Sequence, residues 1–330
     1  MACLIALIAL VLLSLKSAFV GAQSQGIIVI DNIMCAATDS VREIDDDDEQ
    51  QLAPFCVRLH LIRHGETIAN VHNIVLGQGD SPLTDNGVAL AVLAAASDKI
   101  NGKRLRYWRT YCSDLHRAHR TAKIVLGLED GEGNAIEGSG VELVVDSRLR
   151  EIAKGAREGY AKSISNEVAL AMRRREADAS GRTGLEIDVP TLESIDDAWR
   201  RVKDWIDSIV DDASNEYYST VEEGQHQNNY SNDIGNAPKI YDVFALSHSA
   251  LIRTMIHKMV GHEIPSDFAT TKEGSLLIPN LSRTTIDVRP LLSRRSNDND
   301  ASSSRWIPSL HQLADVSHLN SATHSGPPYL

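Results

Sequence analysis

The sequence predicts an α/β fold, a three-layer α/β/α domain built on a mostly parallel central sheet. Apolar runs of strand length alternate along the chain with segments whose apolar residues recur at helical spacing. The 330 residues, 42% of them apolar, are enough for a full core. Two of the apolar runs are followed, one residue further on, by histidines, His64 after Arg63 and His248 after Ser247, at the strand carboxyl ends where sheets of this class bind ligands.

The first strand is Val57 to Ile62, which delivers Arg63 and His64 to its end. Thr84 can cap a helix that runs through Ala96. Tyr111 and Cys112 close a second strand before a helix that begins at Asp114, where Leu115, Ala118, Ala122 and Val125 share one face. Arg117 lies off that face, so amphipathicity alone places it in solvent. Val141 to Val145 is a third strand candidate. Ile195, Ala198, Trp199, Val202, Ile206 and Ile209 mark a strongly amphipathic helix. Residues 213–238, polar and rich in Asn and Gln from Tyr217 onward, predict a surface insertion. Val243 to Leu246 is a buried strand leading to His248, and the helix behind it turns Leu251, Ile252, Met255, Ile256 and Met259 inward. Trp306, Ile307, Leu310 and Leu313 predict a last segment that packs back on the domain.

The domain is expected over residues 55–320, with a tail over 321–330. Residues 1–22 read as a signal or targeting segment: the apolar run at 4–15 has the length of a signal core and falls short of the ~20 residues a span requires. The expectation is entry into the secretory pathway or export, with no integral span in the mature chain. Ser17-Ala18-Phe19 offers plastid import as the alternative, and a leader without function would leave the chain cytoplasmic. Residues 23–54 end in the acidic block Asp45 to Glu49 and read as a disordered linker. The formal charge of −12 excludes a general nucleic-acid or anionic-membrane partner. Oligomeric state is not legible.

Beyond the leader, Cys35, Cys56 and Cys112 form an odd set without metal-type spacing, so buried free thiols are expected. His116 and His119 sit one turn apart without a third ligand, and no metal site is expected. The chain has no phosphate-loop pattern, dinucleotide fingerprint or nucleophile-elbow serine. What it has is an imidazole set directly after a buried strand, preceded by Arg and followed by Gly. A neutral ring there can attack phosphorus, the guanidinium can bind non-bridging oxygens, and Gly lets backbone N–H groups approach.

The run Leu61-Ile62-Arg63-His64-Gly65-Glu66-Thr67 resembles the signature of the histidine phosphatase superfamily, phosphoglycerate mutase-like branch. Similarity continues in order through Asn70, Gly77 to Thr84, Gly87, Ser113-Asp114-Leu115, Arg117-Ala118, Thr121-Ala122, Leu149-Arg150-Glu151, Gly155, Glu158-Gly159 and Leu246-Ser247-His248, and reaches Asn280, Thr285, Trp306 and Asp315 to Leu319. The resemblance implies a phosphomonoesterase that works through a phosphohistidine on a small or medium phosphorylated substrate, with no metal or organic cofactor. His64 would be the nucleophile and Glu151 the general acid and base. Arg63, Arg117 and His248 would form the phosphate cradle, with Asn70 as a neutral donor.

Two departures put the substrate in question. Ser249 stands where relatives often have Gly, and Gly155-Ala156-Arg157-Glu158-Gly159 replaces a segment that often carries Trp. A cofactor-dependent phosphoglycerate mutase is the alternative activity, ranked lower because a Tyr-Gly segment is missing between Glu151 and Tyr160. A non-catalytic phosphate- or phosphoprotein-binding module on the same fold is the alternative outside enzymes.

Overall fold

A computed structural model describes residues 52–97, 99–100, 103–104, 106–180, 191–225, 237–264, 268, 270, 274–292 and 305–319. The leader, nearly all of the linker, residues 226–236 of the expected insertion and the tail lie outside the described residues.

Strand β1 (Phe55–Arg63) carries Val57, Leu59 and Leu61, all fully buried on one face, as the two-residue period of a strand requires. A two-stranded hairpin, β2 (Lys99–Ile100) and β3 (Lys103–Arg104), stands apart from the main sheet. The main sheet also contains β4 (Arg109–Cys112), β5 (Val144–Val145), β6 (Lys239–Ser247), β7 (Arg283–Pro290) and β8 (Trp306–Asp315), in the order β5-β4-β6-β1-β7-β8. The pairings β5 to β4, β4 to β6 and β6 to β1 are parallel, whereas β7 pairs antiparallel with both β1 and β8. The sheet is therefore parallel where the two histidines emerge and antiparallel at its far edge.

The helices are α1 (Ile68–Val71), α2 (Asp85–Ser97), α3 (His116–Leu126), α4 (Asn166–Ala179), α5 (Ile195–Gln225) and α6 (Ser249–Val260). Helices α5 and α6 cover the face that bears Val57, Leu59, Leu61, Val243 and Ala245. Helices α2 and α3 cover Ile62, Cys112, Phe244 and Leu246 on the other face. Trp205 of α5, fully buried, meets Tyr111 edge-on with ring centroids 5.5 Å apart. Cys56 and Cys112 are free and buried, and burial pushes both thiols up to about 12, so neither is a reactive thiolate. Among the described residues no helix is long and apolar enough to cross a membrane.

Several boundaries differ from the sequence expectation. Helix α5 runs through Gln225, so residues 213–225 are helix rather than a surface insertion. Ile209, Ala213 and Tyr217 keep the four-residue spacing, and Tyr217 stacks on Phe55 at 5.3 Å. Trp108 Nε1 also donates to Glu216 at 2.7 Å, so tertiary contacts outweigh the polar composition. The third strand shrinks to exposed Val144–Val145 at the sheet edge, and α3 starts at His116 with Leu115 as its cap residue. Ala53 is fully buried and donates its N–H to Pro290 O at 2.8 Å, so packing begins ahead of Phe55.

Candidate active site

Strands β1 and β6 are parallel neighbours and end level with one another, Arg63 opposite Ser247. The next residue of each chain segment therefore emerges at the same place. His64 and His248 stand side by side with ring centroids 5.1 Å apart.

The surroundings of His64 set its chemistry. Its Nδ1 lies 2.7 Å from Gly65 O, and because a carbonyl only accepts, Nδ1 holds the proton and Nε2 the lone pair. Burial, assisted by the charges of Arg117 and Arg63, holds the ring's pKa well below the usual 6.5, so the imidazole is neutral at neutral pH. The backbone around it is pinned: His64 N donates to Ser247 O at 3.0 Å, Asn280 Nδ2 donates to His64 O at 2.9 Å, and Gly65 N donates to Thr121 Oγ1 at 3.1 Å. Helix α2 packs directly against this loop, since a Cβ at Gly87 would stand 2.2 Å from Glu66 O.

The cationic groups are held mainly through backbone carbonyls. Arg63 donates Nη1 to Ile278 O at 2.6 Å, and burial pushes its pKa down to about 10, which leaves it a cation at neutral pH. Arg117 is only 1% exposed, so the solvated position that amphipathicity alone gives it is wrong. It donates Nη1 to Gly79 O at 2.6 Å and Nη2 to Gly77 O at 2.8 Å, which compensates the buried charge. Asp80 adds an oxygen at 3.4 Å. That carbonyl loop is itself held by Glu158, which accepts from Gln78 N at 3.1 Å and Gly79 N at 3.0 Å. Gly77 has φ +52, and a Cβ there would lie 2.0 Å from Glu158 Oε1, so only glycine fits.

His248 is fully buried and its Nε2 lies 2.9 Å from Ser113 Oγ. Burial, then Arg117 and the ring of His64, holds its pKa well below 6.5. It precedes α6 but does not cap the helix through its side chain. Glu151 does so instead, accepting from Ala250 N through Oε2 at 3.1 Å and from Leu251 N through Oε1 at 3.1 Å, while Oε1 also takes Ile152 N at 2.8 Å. The arginines flanking Glu151 are paired elsewhere, Arg148 with Asp146 and Arg150 with Asp114. Glu151 instead acts electrostatically on Arg63, Arg117 and Arg253. Asn70 accepts Thr67 N at 3.2 Å and Asn280 Nδ2 at 3.3 Å through Oδ1, which leaves its Nδ2 as the end a ligand can use.

All six residues expected from the sequence therefore fall in one hydrogen-bonded and electrostatic neighbourhood. Three buried side-chain nitrogens there have no partner: Arg63 Nε and Arg117 Nε, which are donors, and His248 Nδ1, which donates in the tautomer whose Nε2 accepts from Ser113 Oγ. Unpaired buried polar atoms are costly, so a set of them around one histidine suits an anion that supplies the acceptors. Sequence reasoning assigned no role to Ser113, Thr121, Asn280 or Glu158, although all four stand inside the matching motif segments. The run Arg173-Arg174-Arg175 reads in sequence as a solvated helix face, yet Arg173 donates to Ala156 O at 2.9 Å and Glu158 O at 2.5 Å. Its signal was nonlocal and could not be read from the Arg173-Arg174-Arg175 run. Among the described residues no group of three or more His, Cys, Asp or Glu is placed to hold a metal, and His116 and His119 form no such cluster.

The family model for the histidine phosphatase superfamily (branch 1) matches residues 59–225. The chain belongs to that superfamily. Fructose-2,6-bisphosphatase TIGAR B of Danio rerio is 30% identical over 208 residues, which cover 61% of this chain and 74% of that protein. The Yersinia pestis (strain Pestoides F) protein named "Probable phosphoglycerate mutase GpmB" is 31% identical over 155 residues, 47% of this chain and 64% of its own length. Among solved structures, phosphoglycerate mutase from Bacillus anthracis str. Sterne aligns with TM-score 0.49 at 21% identity, covering 80% of this chain and 96% of that one.

Proposed function

We propose that this member of the histidine phosphatase superfamily is a phosphomonoesterase that forms a phosphohistidine on His64 and acts on a small or medium phosphorylated substrate. The observation that carries the reading is the set of unpartnered nitrogens, Arg63 Nε, Arg117 Nε and His248 Nδ1, beside a histidine whose tautomer leaves Nε2 as the nucleophile. A phosphoryl group in this space gains charge-assisted donors from both guanidiniums.

In the first step His64 Nε2 attacks phosphorus, the N–P bond forms and the ester P–O bond breaks. Glu151 protonates the departing alkoxide oxygen. Its Oε1 already accepts two N–H groups and its Oε2 only one, so Oε2 is the oxygen with room to carry that proton. In the second step Glu151 takes a proton from water, the hydroxide attacks phosphorus, the N–P bond breaks and inorganic phosphate leaves His64 neutral again. Arg63 and Arg117 bind the equatorial oxygens throughout, where charge accumulates during transfer.

The names of the relatives, a fructose-2,6-bisphosphatase and a phosphoglycerate mutase, support a phosphorylated sugar or glycerate-sized substrate. The test is a panel of phosphomonoesters that includes 3-phosphoglycerate, run on the full chain and on His64→Ala. Phosphate release that vanishes in the variant is the expected outcome. Full hydrolysis by His64→Ala would remove the nucleophile from the mechanism, and isomerisation of 3-phosphoglycerate with little hydrolysis would replace the phosphatase with a mutase.

A further inference from the structure

The segment that carries Glu151 has little regular structure: between the short helical turn at Ser147–Leu149 and the one at Gly155–Arg157 it is extended coil. The carbonyls of four consecutive residues there are all held by side chains rather than by backbone. Ser247 Oγ donates to Leu149 O at 2.8 Å. A single guanidinium, that of Arg201 on α5, takes the other three, donating Nη1 to Arg148 O at 2.5 Å and Nη2 to Arg150 O at 2.9 Å and Glu151 O at 3.4 Å.

Arg201 is in turn oriented by Glu193, just ahead of α5. The carboxylate accepts Nε at 2.7 Å through Oε1 and Nη2 at 3.0 Å through Oε2. Glu193 grips the same segment from the other side, accepting Ala153 N at 3.2 Å through Oε2 and donating its own N–H to Ala153 O at 3.1 Å. The pair is mostly buried, 20% and 14% exposed. An ion pair that served only to fasten α5 would have no need to gather three carbonyls of one loop. A bidentate pair in this position fixes the planar fork at a set angle, and with it the backbone of the residues it touches.

We infer that Arg201, oriented by Glu193, is a positioning residue that sets the placement of Glu151 for proton transfer to the leaving group. This rests on the reading of Glu151 as the general acid. The consequence is specific. Proton donation matters for an alkoxide leaving group and hardly matters for p-nitrophenolate, which departs as a stable anion. Loss of the clamp therefore slows alkyl phosphates far more than p-nitrophenyl phosphate, whereas damage to the phosphate cradle or to folding slows both alike.

The experiment compares kcat/KM, which reports phosphorylation of His64 and not the later hydrolysis that Glu151 also serves, for an alkyl phosphate and for p-nitrophenyl phosphate in the full-length wild type, Arg201→Met, Arg201→Lys, Glu193→Gln and Glu151→Gln, each checked for cooperative thermal unfolding. General acid catalysis contributes about 10²- to 10⁴-fold, so Glu151→Gln should lose on that order with the alkyl ester and little with the aryl ester. Arg201→Met should lose about 10- to 100-fold with the alkyl ester and about 3-fold or less with the aryl ester, part of the same general-acid contribution. Arg201→Lys, which keeps the charge without the fork, should stay closer to Arg201→Met than to wild type, and Glu193→Gln should fall between. A steep leaving-group dependence in Glu151→Gln with equal losses for both esters in Arg201→Met and Glu193→Gln overturns the clamp and leaves the function standing. No leaving-group dependence in Glu151→Gln overturns the acid assignment and the clamp with it. Should Arg201→Met fail to fold, the lysine and Glu193→Gln variants decide by the same criterion.

Discussion

Strand β1 and the residue that follows it carry two arginine–histidine sets, and they have opposite fates. Arg58 and His60 project from mid-strand, where Arg58 donates Nε and Nη2 to Asp287 at 2.7 and 2.9 Å and His60 Nε2 meets Asp242 at 2.8 Å. The Asp287 carboxylate raises the pKa of Arg58. Arg63 and His64, a few residues on, have no carboxylate hydrogen-bonded to them, and burial lowers both. Sequence type is the same in the two sets. What differs is whether a carboxylate is hydrogen-bonded to the pair: where one is, the contacts fasten strands together, and where none is, the donors are left for a ligand.

The comparison breaks most sharply at the nucleophile. His64→Ala should lower kcat by about 10⁴-fold or more, the scale seen when a covalent catalytic group is removed, with little loss of stability. Steady-state phosphate release measures it, and a loss below tenfold would equate His64 with His60. Arg117→Met comes next, with about 10²- to 10³-fold lost from kcat, as for other donors aimed at developing charge. It should also move the acidic limb of the rate profile upward. Burial is the main cause of the low pKa of His64 and Arg117 the second, so removing that cation makes the ring easier to protonate and activity is lost at a higher pH. An acidic limb that stays in place would show that Arg117 does not act on the ring.

Stability should follow pH through the same groups. His64 and His248 have folded pKa values below 6.5, so as pH falls through 6.5 the unfolded chain gains protons that the folded one refuses. Their contribution is intact above 6.5 and is lost progressively below it, down to the folded values. Urea titrations from pH 7.5 to 5 should show this decline, and His64→Asn should flatten it. The smallest effect belongs to the mid-strand pair: Arg58→Met should cost about 1–2 kcal/mol of stability and leave kcat unchanged. A tenfold fall in kcat there would erase the distinction between the two sets.

How much of this was legible depends on how local the signal was. Arg63 and His64 follow an apolar run directly, and the strand-end position can be read from spacing alone. The partner strand β6 is equally readable, but that β1 and β6 are parallel neighbours in register is a tertiary fact, and it alone brings His248 beside His64. Arg117 shows the limit most clearly. Its helical position predicts solvent, and only the carbonyls of Gly77 and Gly79, some forty residues earlier, explain how it is buried as a cation. Glu151 is legible from its motif, yet its contacts with the start of α6 and with Arg201 join segments about one hundred and about fifty residues apart, respectively. The helical residues 213–225 were missed for the related reason that polar composition outweighs a periodicity which Tyr217 and Phe55 make meaningful only once packed.

The central claim is that the uncompensated set at the end of β1 transfers a phosphoryl group through His64. Rapid quench of the full chain with p-nitrophenyl phosphate, whose leaving group needs no proton, followed by mass spectrometry under alkaline conditions, tests it directly. The account predicts an acid-labile phosphate on His64, absent in His64→Ala and accumulating in Glu151→Gln, where water is no longer activated. Phosphate found on His248 instead, or steady turnover with no phosphorylated residue in any variant, would contradict it.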